Sequence, residues 1–267
     1  MKLELYQIDA FADAPFSGNP AAVVPLDHWL DDAVLQNIAM ENNLAETAFI
    51  VPTDAAESWK LRWFTPTMEV PLCGHATLAS AACIMRYIHP ELNHLRFATK
   101  SGELQVQRVG EAFVMDLPAG KPKDWTMPED ALAALGVTII DSGISTYPFV
   151  VLKNEQAVRA LNVQNALKAT RLAHSINELV VCAEAEPGTE LDFVLRFFAP
   201  GVGVDEDPVT GSAITYLTPY WAKRLGKTKM RLYQASPRGG YVSVEVIGDR
   251  VRLGGKARDY LRGTITL

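Results

Sequence analysis

Two short segments of the chain combine a glycine with side chains that could bind an anion or move a proton. The first is Cys73-Gly74-His75 and the second is Thr210-Gly211-Ser212. Each follows a proline-containing loop and precedes a long apolar segment that predicts a helix. The first N–H groups of a helix have no internal partner, and the helix dipole places partial positive charge there. We therefore expect Gly74, Gly211 and Ser212 to bind a carboxylate or phosphate.

Glu46 is the candidate proton carrier. It lies in an otherwise uncharged run, Asn43-Leu44-Ala45-Glu46-Thr47-Ala48-Phe49, directly before a predicted strand. A carboxylate in such surroundings is expected to be partly desolvated, as general acids and bases commonly are. The alternative is an ordinary glutamate that is exposed at the start of a strand or caps a helix. Spacing alone leaves both interpretations open.

His75 and Asp207 each have a chemical and a structural interpretation. His75, at a helix start, could relay a proton or donate to a substrate oxygen, or it could be a buried histidine bonded to the backbone. Asp207, directly before Pro208, could hold His75 or a substrate amine, or it could simply cap the turn. Both are candidate catalytic residues.

Cys73 and Asn19 are weaker candidates. A helix N-terminus lowers the pKa of a neighbouring thiol, so Cys73 could act as a nucleophile. We favour the alternative that Cys73 is a small buried residue, because the second turn carries no thiol. Asn19 could bind substrate, but Gly18-Asn19-Pro20 is also typical of an ordinary turn.

The elements that must position these residues occur twice. Arg62-Trp63-Phe64-Thr65-Pro66 precedes the first turn, and Arg196-Phe197-Phe198-Ala199-Pro200 precedes the second. A repeat of this length indicates a duplicated half-protein rather than a solenoid. We expect two similar lobes whose glycine turns face each other, each a set of strands around one apolar helix. A proline-rich linker predicts domains 1–118 and 119–267, with the final residues free to pack on the first lobe.

Composition excludes several classes of function. The 267 residues are 48% hydrophobic and carry a formal net charge of -6, so neither nucleic acid nor an anionic membrane surface is expected as the main partner. The N-terminus alternates like a strand rather than a signal peptide, and the three cysteines form no disulfide framework, so a cytoplasmic location is expected. Histidine spacing predicts no metal site, and no dinucleotide or phosphate fingerprint predicts a cofactor.

Five motifs in order resemble the PhzF-like family of phenazine biosynthesis, which shares the diaminopimelate epimerase fold. They are Ser17-Gly18-Asn19-Pro20-Ala21, the run around Glu46, Arg62-Trp63-Phe64-Thr65-Pro66, Leu72-Cys73-Gly74-His75-Ala76-Thr77 and Asp207-Pro208-Val209-Thr210-Gly211-Ser212-Ala213. The resemblance implies an α/β (α+β) fold of two pseudo-symmetric lobes, each a curved, mostly antiparallel sheet around a central helix. It also implies a homodimer and an active site in the cleft between the lobes.

The same resemblance implies an isomerase that needs neither PLP nor a metal. Its substrate would be a small carboxylate, cyclic or amino-acid-like. Glu46 would act as general acid and base, while the catalytic candidates His75 and Asp207 would orient the substrate and stabilise charge. The related epimerases use one cysteine from each glycine turn, whereas here only Cys73 is present, so racemisation by two thiols is not expected. Two other functions stay open: a non-catalytic protein that binds small carboxylates or a partner on the same fold, and a hydrolase that uses Cys73.

Overall fold

The duplicated sequence forms two units with a similar order of elements, although unit 2 has additional helices. The computed structural model describes all 267 residues. Contacts divide them into unit 1, Met1–Leu117 with Gly254–Leu267, and unit 2, Pro118–Leu253. The sequence placed the boundary one residue later and allowed the final residues to pack on the first lobe.

Unit 1 is a mixed sheet. Its strands pair antiparallel except for β2 with β3 and β4 with β6, which run parallel. Two helices and a π-helical turn, Ile84–Ile88, complete the unit. The elements are β1 (Lys2–Ala10), β2 (Asn19–Pro25), α1 (Asp32–Asn42), β3 (Glu46–Pro52), β4 (Ser58–Phe64), β5 (Glu69–Val70), α2 (Gly74–Cys83), β6 (His94–Thr99), β7 (Gly102–Val109) and β8 (Ala112–Pro118).

Unit 2 repeats this pairing scheme. Here the parallel pairs are β11 with β12 and β13 with β15. The elements are β9 (Lys123–Asp124), α3 (Glu129–Leu135), β10 (Ile139–Ile144), β11 (Pro148–Leu152), α4 (Glu155–Arg159), α5 (Val163–Ala173), β12 (Leu179–Glu184), β13 (Phe193–Ala199), β14 (Val204–Asp207), α6 (Gly211–Leu225), β15 (Lys229–Gln234), β16 (Gly240–Ile247) and β17 (Arg250–Thr266).

The helix after each glycine turn is the most buried helix of its unit. Every residue of α2 from His75 to Cys83 is buried, and α2 packs against β1, β2 and β3. Such a helix is apolar on all sides because none of its faces meets water. In α6 the buried residues include Ile214, Tyr216 and Trp221. The apolar segments that follow the two glycine turns therefore form α2 with its π-helical extension and α6, as the sequence predicts.

The side chains of β3 and β12 alternate between the two faces of the sheet in their units. Phe49 and Val51 pack with α1 in one core cluster, and Leu179 and Val181 pack with α3 and α5 in another. Successive side chains of a strand point to opposite faces. Residues at even positions, Glu46 among them, therefore face the side of α2 or α6.

Paired charges hold the hairpin that leads into each glycine turn. Arg62 donates two hydrogen bonds to Glu69, both 2.8 Å long, and Arg196 donates two to Glu206, at 2.7 and 2.8 Å. Bidentate guanidinium–carboxylate pairs fix geometry as well as charge. These ion pairs join β5 to β4 and β14 to β13. They therefore fix the position from which the chain continues into each glycine turn.

The final strand was only partly predicted. The sequence predicts a strand over residues 250–253 as part of a closing hairpin, whereas β17 continues to Thr266 and pairs antiparallel with β1. Residues 258–262 of β17 are exposed. They therefore lack the alternation of apolar and polar residues from which a strand is predicted. Their order comes from the backbone ladder instead, and Leu267 N–H closes it by donating to the Met1 carbonyl at 2.8 Å. None of the helices has the length and hydrophobicity needed to cross a bilayer.

Candidate active site

Glu46, His75 and Cys73 form a linear cluster in unit 1. The His75 Nε2 atom lies 3.1 Å from Glu46 Oε2, and His75 Nδ1 lies 3.5 Å from the Cys73 Sγ atom. His75 is 5% exposed and Cys73 is 6% exposed, whereas the Glu46 side chain retains 18% exposure. The imidazole therefore bridges a buried thiol and a carboxylate that solvent or a ligand can reach.

Local structure explains this cluster. Glu46 begins β3, where it pairs with Ala21 of β2, and its side chain faces α2. Cys73 is the residue before α2, and His75 is the second residue of that helix. The first helical hydrogen bond runs from Thr77 N–H to the Cys73 carbonyl, so the N–H groups of Gly74 and His75 have no helical partner. The turn thus presents backbone donors beside Glu46.

The contact between His75 and Glu46 is close but poorly directed. Although Nε2 and Oε2 are within hydrogen-bonding distance, neither atom has a partner with hydrogen-bond geometry. Buried polar atoms are normally satisfied, and exceptions concentrate at functional sites. Both atoms are themselves buried, so a ligand would reach Glu46 through the exposed part of its side chain.

Electrostatics favours a charged pair here. Burial opposes protonation of His75, but the adjacent Cys73 sulfur and the Glu46 carboxylate outweigh it and hold the pKa of His75 well above its usual value. Burial, reinforced by the Glu46 charge, raises the pKa of the Cys73 thiol to about 11. The thiol is thus neutral at pH 7, so of the two neighbours it is Glu46 whose charge raises the pKa of His75.

The same three residues could also be metal ligands, since their ligand atoms lie within 4.8 Å of one another. The thiol and the carboxylate approach opposite nitrogens of the imidazole. A single ion can use only one of these nitrogens, and tetrahedral sites need ligands that converge on one point. As arranged, the cluster suits transfer of a proton along a line better than coordination of an ion.

A lowered thiol pKa would favour a nucleophilic role for Cys73, whereas in the structure the pKa of this thiol is raised. We expect Cys73→Ala to retain proton-exchange activity within about threefold, because a buried thiol behaves as a small apolar side chain. Iodoacetamide should modify native Cys73 about a hundredfold more slowly than the unfolded chain, since reactivity follows the thiolate fraction. Peptide mass spectrometry of labelled protein measures this rate. Rapid alkylation with loss of activity would instead support the hydrolase.

Asn19 lies near this cluster along the sheet. It is fully buried, begins β2 and pairs with Ala10 of β1. Two residues later, Ala21 pairs with Glu46, so Asn19 and Ala21 share a face of the sheet. A role for Asn19 in binding substrate remains a prediction.

Unit 2 holds Asp207, Gly211 and Ser212 at its own turn. The Thr210 hydroxyl donates to the Asp207 carboxylate, and the buried Gln234 accepts from Thr210 N–H at 2.8 Å and donates to the Asp207 carbonyl at 2.7 Å. Of the possible roles of Asp207, this contact matches the cap of the turn. The further role of Asp207 and Ser212 toward a substrate stays a prediction.

Two side chains at this second turn were missed from the sequence. Gln234 ends β15 and clamps the turn, and Tyr147 lies 3.3 Å from the Ser212 hydroxyl. Nothing in the local sequence marks either residue, because both act on segments more than 20 residues away. Gly211, Ser212 and Ala213 precede the first helical donor, Ile214 N–H, so this turn also presents free backbone donors.

Comparison with known proteins agrees with this architecture. A family model described as PhzC-PhzF, phenazine biosynthesis-like protein, matches residues 8–263. A Pseudomonas aeruginosa protein named as an uncharacterized isomerase is 48% identical over the whole length of both chains. A PhzF-family crystal structure from Enterococcus faecalis is 42% identical, superposes with a TM-score of 0.93 and is covered completely.

A more distant likeness concerns the fold alone. A hydroxyproline epimerase from Agrobacterium vitis, solved with bound trans-4-hydroxy-L-proline, is 10% identical and gives a TM-score of 0.64, with 99% of this chain and 92% of that chain covered. The predicted α+β fold, two lobes of sheet around a central helix as in the epimerases, is confirmed. By its family match and its full-length relatives, the chain belongs to the phenazine biosynthesis-like, or PhzF, family.

Proposed function

We propose that the protein is a cofactor-independent isomerase that moves a proton within a small carboxylate, cyclic or amino-acid-like, with Glu46 as the general acid and base. The observation that carries this proposal is the partly exposed Glu46 carboxylate, 3.1 Å from a buried imidazole, with both facing atoms lacking a hydrogen-bond partner. The names of full-length relatives from two bacteria, which call them isomerases, support the reaction class.

The chemistry needs only the side chains at hand. The Glu46 carboxylate removes a proton from a carbon of the substrate and becomes a neutral acid, while the electron pair delocalises into the substrate's conjugated system. Glu46 then returns the proton to a different carbon and regains its charge, so nothing is consumed. Before the first step, protonated His75 lies beside the Glu46 carboxylate. Once Glu46 is neutral, His75 is free to direct its Nε2 proton toward the developing negative charge.

Binding groups follow from the same geometry. The unpaired N–H groups of Gly74 and His75 suit an anionic group of the substrate beside Glu46. We further propose, from the family resemblance, that Asn19, Asp207, Gly211 and Ser212 contribute to substrate binding and that the protein works as a homodimer. Size-exclusion chromatography with light scattering measures the assembly directly.

Proton exchange tests the reaction class. The protein is incubated in D₂O with a panel of small cyclic carboxylates and amino acids, and mass spectrometry detects deuterium bound to carbon. An isomerase of this type should incorporate deuterium into at least one compound, because a carboxyl proton equilibrates with solvent between the two steps. Ligand binding without any exchange across the panel would instead favour the non-catalytic carboxylate-binding protein.

A further inference from the structure

Three departures from regular backbone structure meet on one surface of unit 1. The pairing of β1 with β17 shifts register at Ile8 and leaves Tyr260 as the extra residue of a β-bulge. Residues Ile84–Ile88 form the π-helical turn that follows α2. Phe16, in the loop between β1 and β2, has a left-handed backbone with a φ of 65°. Bulges, π-helical turns and left-handed bulky residues are uncommon, and they concentrate at functional sites.

Large side chains at these departures point outward. Phe16 is 72% exposed and Tyr260 is 58% exposed, and their rings meet edge to face with centroids 6.3 Å apart. Tyr87 of the π-helical turn and Leu261 beside the bulge are exposed as well. We call these four side chains, with the hollows between them, the aromatic patch. Exposed large apolar side chains that gather on one surface mark an interaction site.

Two adjoining hollows lie between these side chains. The larger, of about 330 Å³, is bordered by Phe16, Tyr260, Arg86 and Arg258. The smaller, of about 90 Å³, shares Tyr260 and is also bordered by Tyr87. Both hollows open to solvent, whereas a small-molecule site encloses most of its ligand. A projecting ring beside an open hollow suits a protein surface better than a small molecule.

The polar groups of the patch are mainly arginines and carboxylates. Arg86 donates to Asp259 at 2.7 Å. Arg258 is exposed and donates to the Asp13 carbonyl at 3.1 Å, but it forms no ion pair with a carboxylate. Tyrosine, phenylalanine and arginine are the residue types enriched in protein interfaces, and tyrosine and arginine often contribute most of the binding free energy. The composition of the patch therefore indicates a protein partner.

The charges of the patch suit a second copy of the same chain. Three cations and three carboxylates border the hollows or pair with groups that do: Arg86, Arg258, Arg262, Glu4, Asp9 and Asp259. The patch is thus balanced, although the chain as a whole carries a net charge of -6. A strongly acidic or basic partner would leave half of these charges unmatched, whereas a second copy offers both signs.

We propose that the aromatic patch is the contact surface between two copies of this chain, with Phe16 of each copy entering the larger hollow of the other. A two-fold interface joins a patch to itself, so it needs a projection and a recess side by side. Phe16 and the hollow beside it supply both. The inference rests on the homodimer proposed above, to which it gives a location, and it does not depend on the reaction.

Sedimentation equilibrium of the full-length protein tests this surface. The native protein should be a dimer that dissociates on dilution. Phe16→Asn and Tyr260→Asp should each weaken association by at least about a hundredfold, because each change occurs twice in a two-fold interface. Met40→Asp, which replaces a 56% exposed apolar side chain on α1, is the matched control and should leave association unchanged.

Stability distinguishes an interface residue from a structural one. Asparagine adopts the left-handed backbone more readily than phenylalanine. Added to Tyr260→Asp, where association is lost, Phe16→Asn should therefore leave the midpoint of guanidinium denaturation unchanged or raise it. Phe11 has a similar backbone, with a φ of 59°, but is only 1% exposed, so Phe11→Asn should lower the midpoint strongly. A comparable fall in Phe16→Asn would show that its ring stabilises the single chain instead.

The outcomes separate this inference from the proposals on which it rests. A native protein that stays monomeric at every concentration would contradict both the homodimer and the aromatic patch as its interface. A native dimer that persists in either Phe16→Asn or Tyr260→Asp would overturn the interface and leave the homodimer standing. Deuterium exchange by the native protein decides the isomerase separately, whichever of these results is obtained.

Discussion

Glu46→Gln is expected to lower the rate of deuterium incorporation by about a thousandfold, the scale typical of removing a general base. Glutamine matches the shape of glutamate but cannot accept a proton from carbon. The side chain is partly exposed, so the change leaves no large cavity and the fold should persist. Mass spectrometry of the substrate, with circular dichroism as the check on folding, measures both effects.

A second readout distinguishes the loss of a base from general damage. The Glu46 carboxylate helps to hold the pKa of His75 above its usual value, so Glu46→Gln should also lower the pKa of His75, which proton NMR of the imidazole reports. Glu41→Gln, an exposed site on α1, is the control and should change neither quantity. Exchange at the native rate in Glu46→Gln would show that another group carries the proton.

Arg196→Met should destabilise the protein strongly, costing about 3–5 kcal/mol in the free energy of unfolding. Arg196 and Glu206 are each 6% exposed in their side chains, and Arg196 also donates to the Leu161 carbonyl at 2.8 Å. Methionine fills much of the space but leaves the Glu206 carboxylate buried without its counter-charge. The midpoint of guanidinium denaturation, followed by tryptophan fluorescence, measures the loss.

A double variant tests the cause of that loss. Arg196→Met combined with Glu206→Leu removes both charges and should recover much of the stability, because an apolar pair can replace a buried ion pair. Arg96→Met is the matched control: Arg96 and Glu57 lie 3.4 Å apart with 42% and 43% exposure, and an exposed pair contributes no more than about 1 kcal/mol. Equal losses in the two arginine variants would refute the role assigned to burial.

Much of the fold was predictable because the sequence repeats its strongest signals. The motif that begins at Arg62 contains the last residues of β4, and its copy that begins at Arg196 contains the last residues of β13. Each glycine turn begins the buried helix that its apolar run predicted. Such signals can be recognised in the sequence because the end of a strand, a turn and the start of a helix are each determined by neighbouring residues.

Elements and contacts that depend on distant partners could not be predicted. Helix α3 and strand β10 were not predicted. Residues 257–266 belong to β17 through backbone pairing with β1 rather than through apolar alternation. The contact of Glu46 with His75 joins residues 29 positions apart and needs β3 and α2 to pack together. The sequence named both residues as candidates without placing them side by side.

The long strand β17 affects how the chain folds as it is synthesised. Unit 2 is complete once Leu253 has left the ribosome, although it starts later in the gene. Unit 1 lacks one strand until the last residues emerge and pair with β1. The half that is translated first therefore finishes second, because one edge of β1 stays unpaired until residues 257–266 have emerged. Because the first and last residues are hydrogen-bonded neighbours, a gene that joined them and opened after Leu253 would encode each unit without interruption.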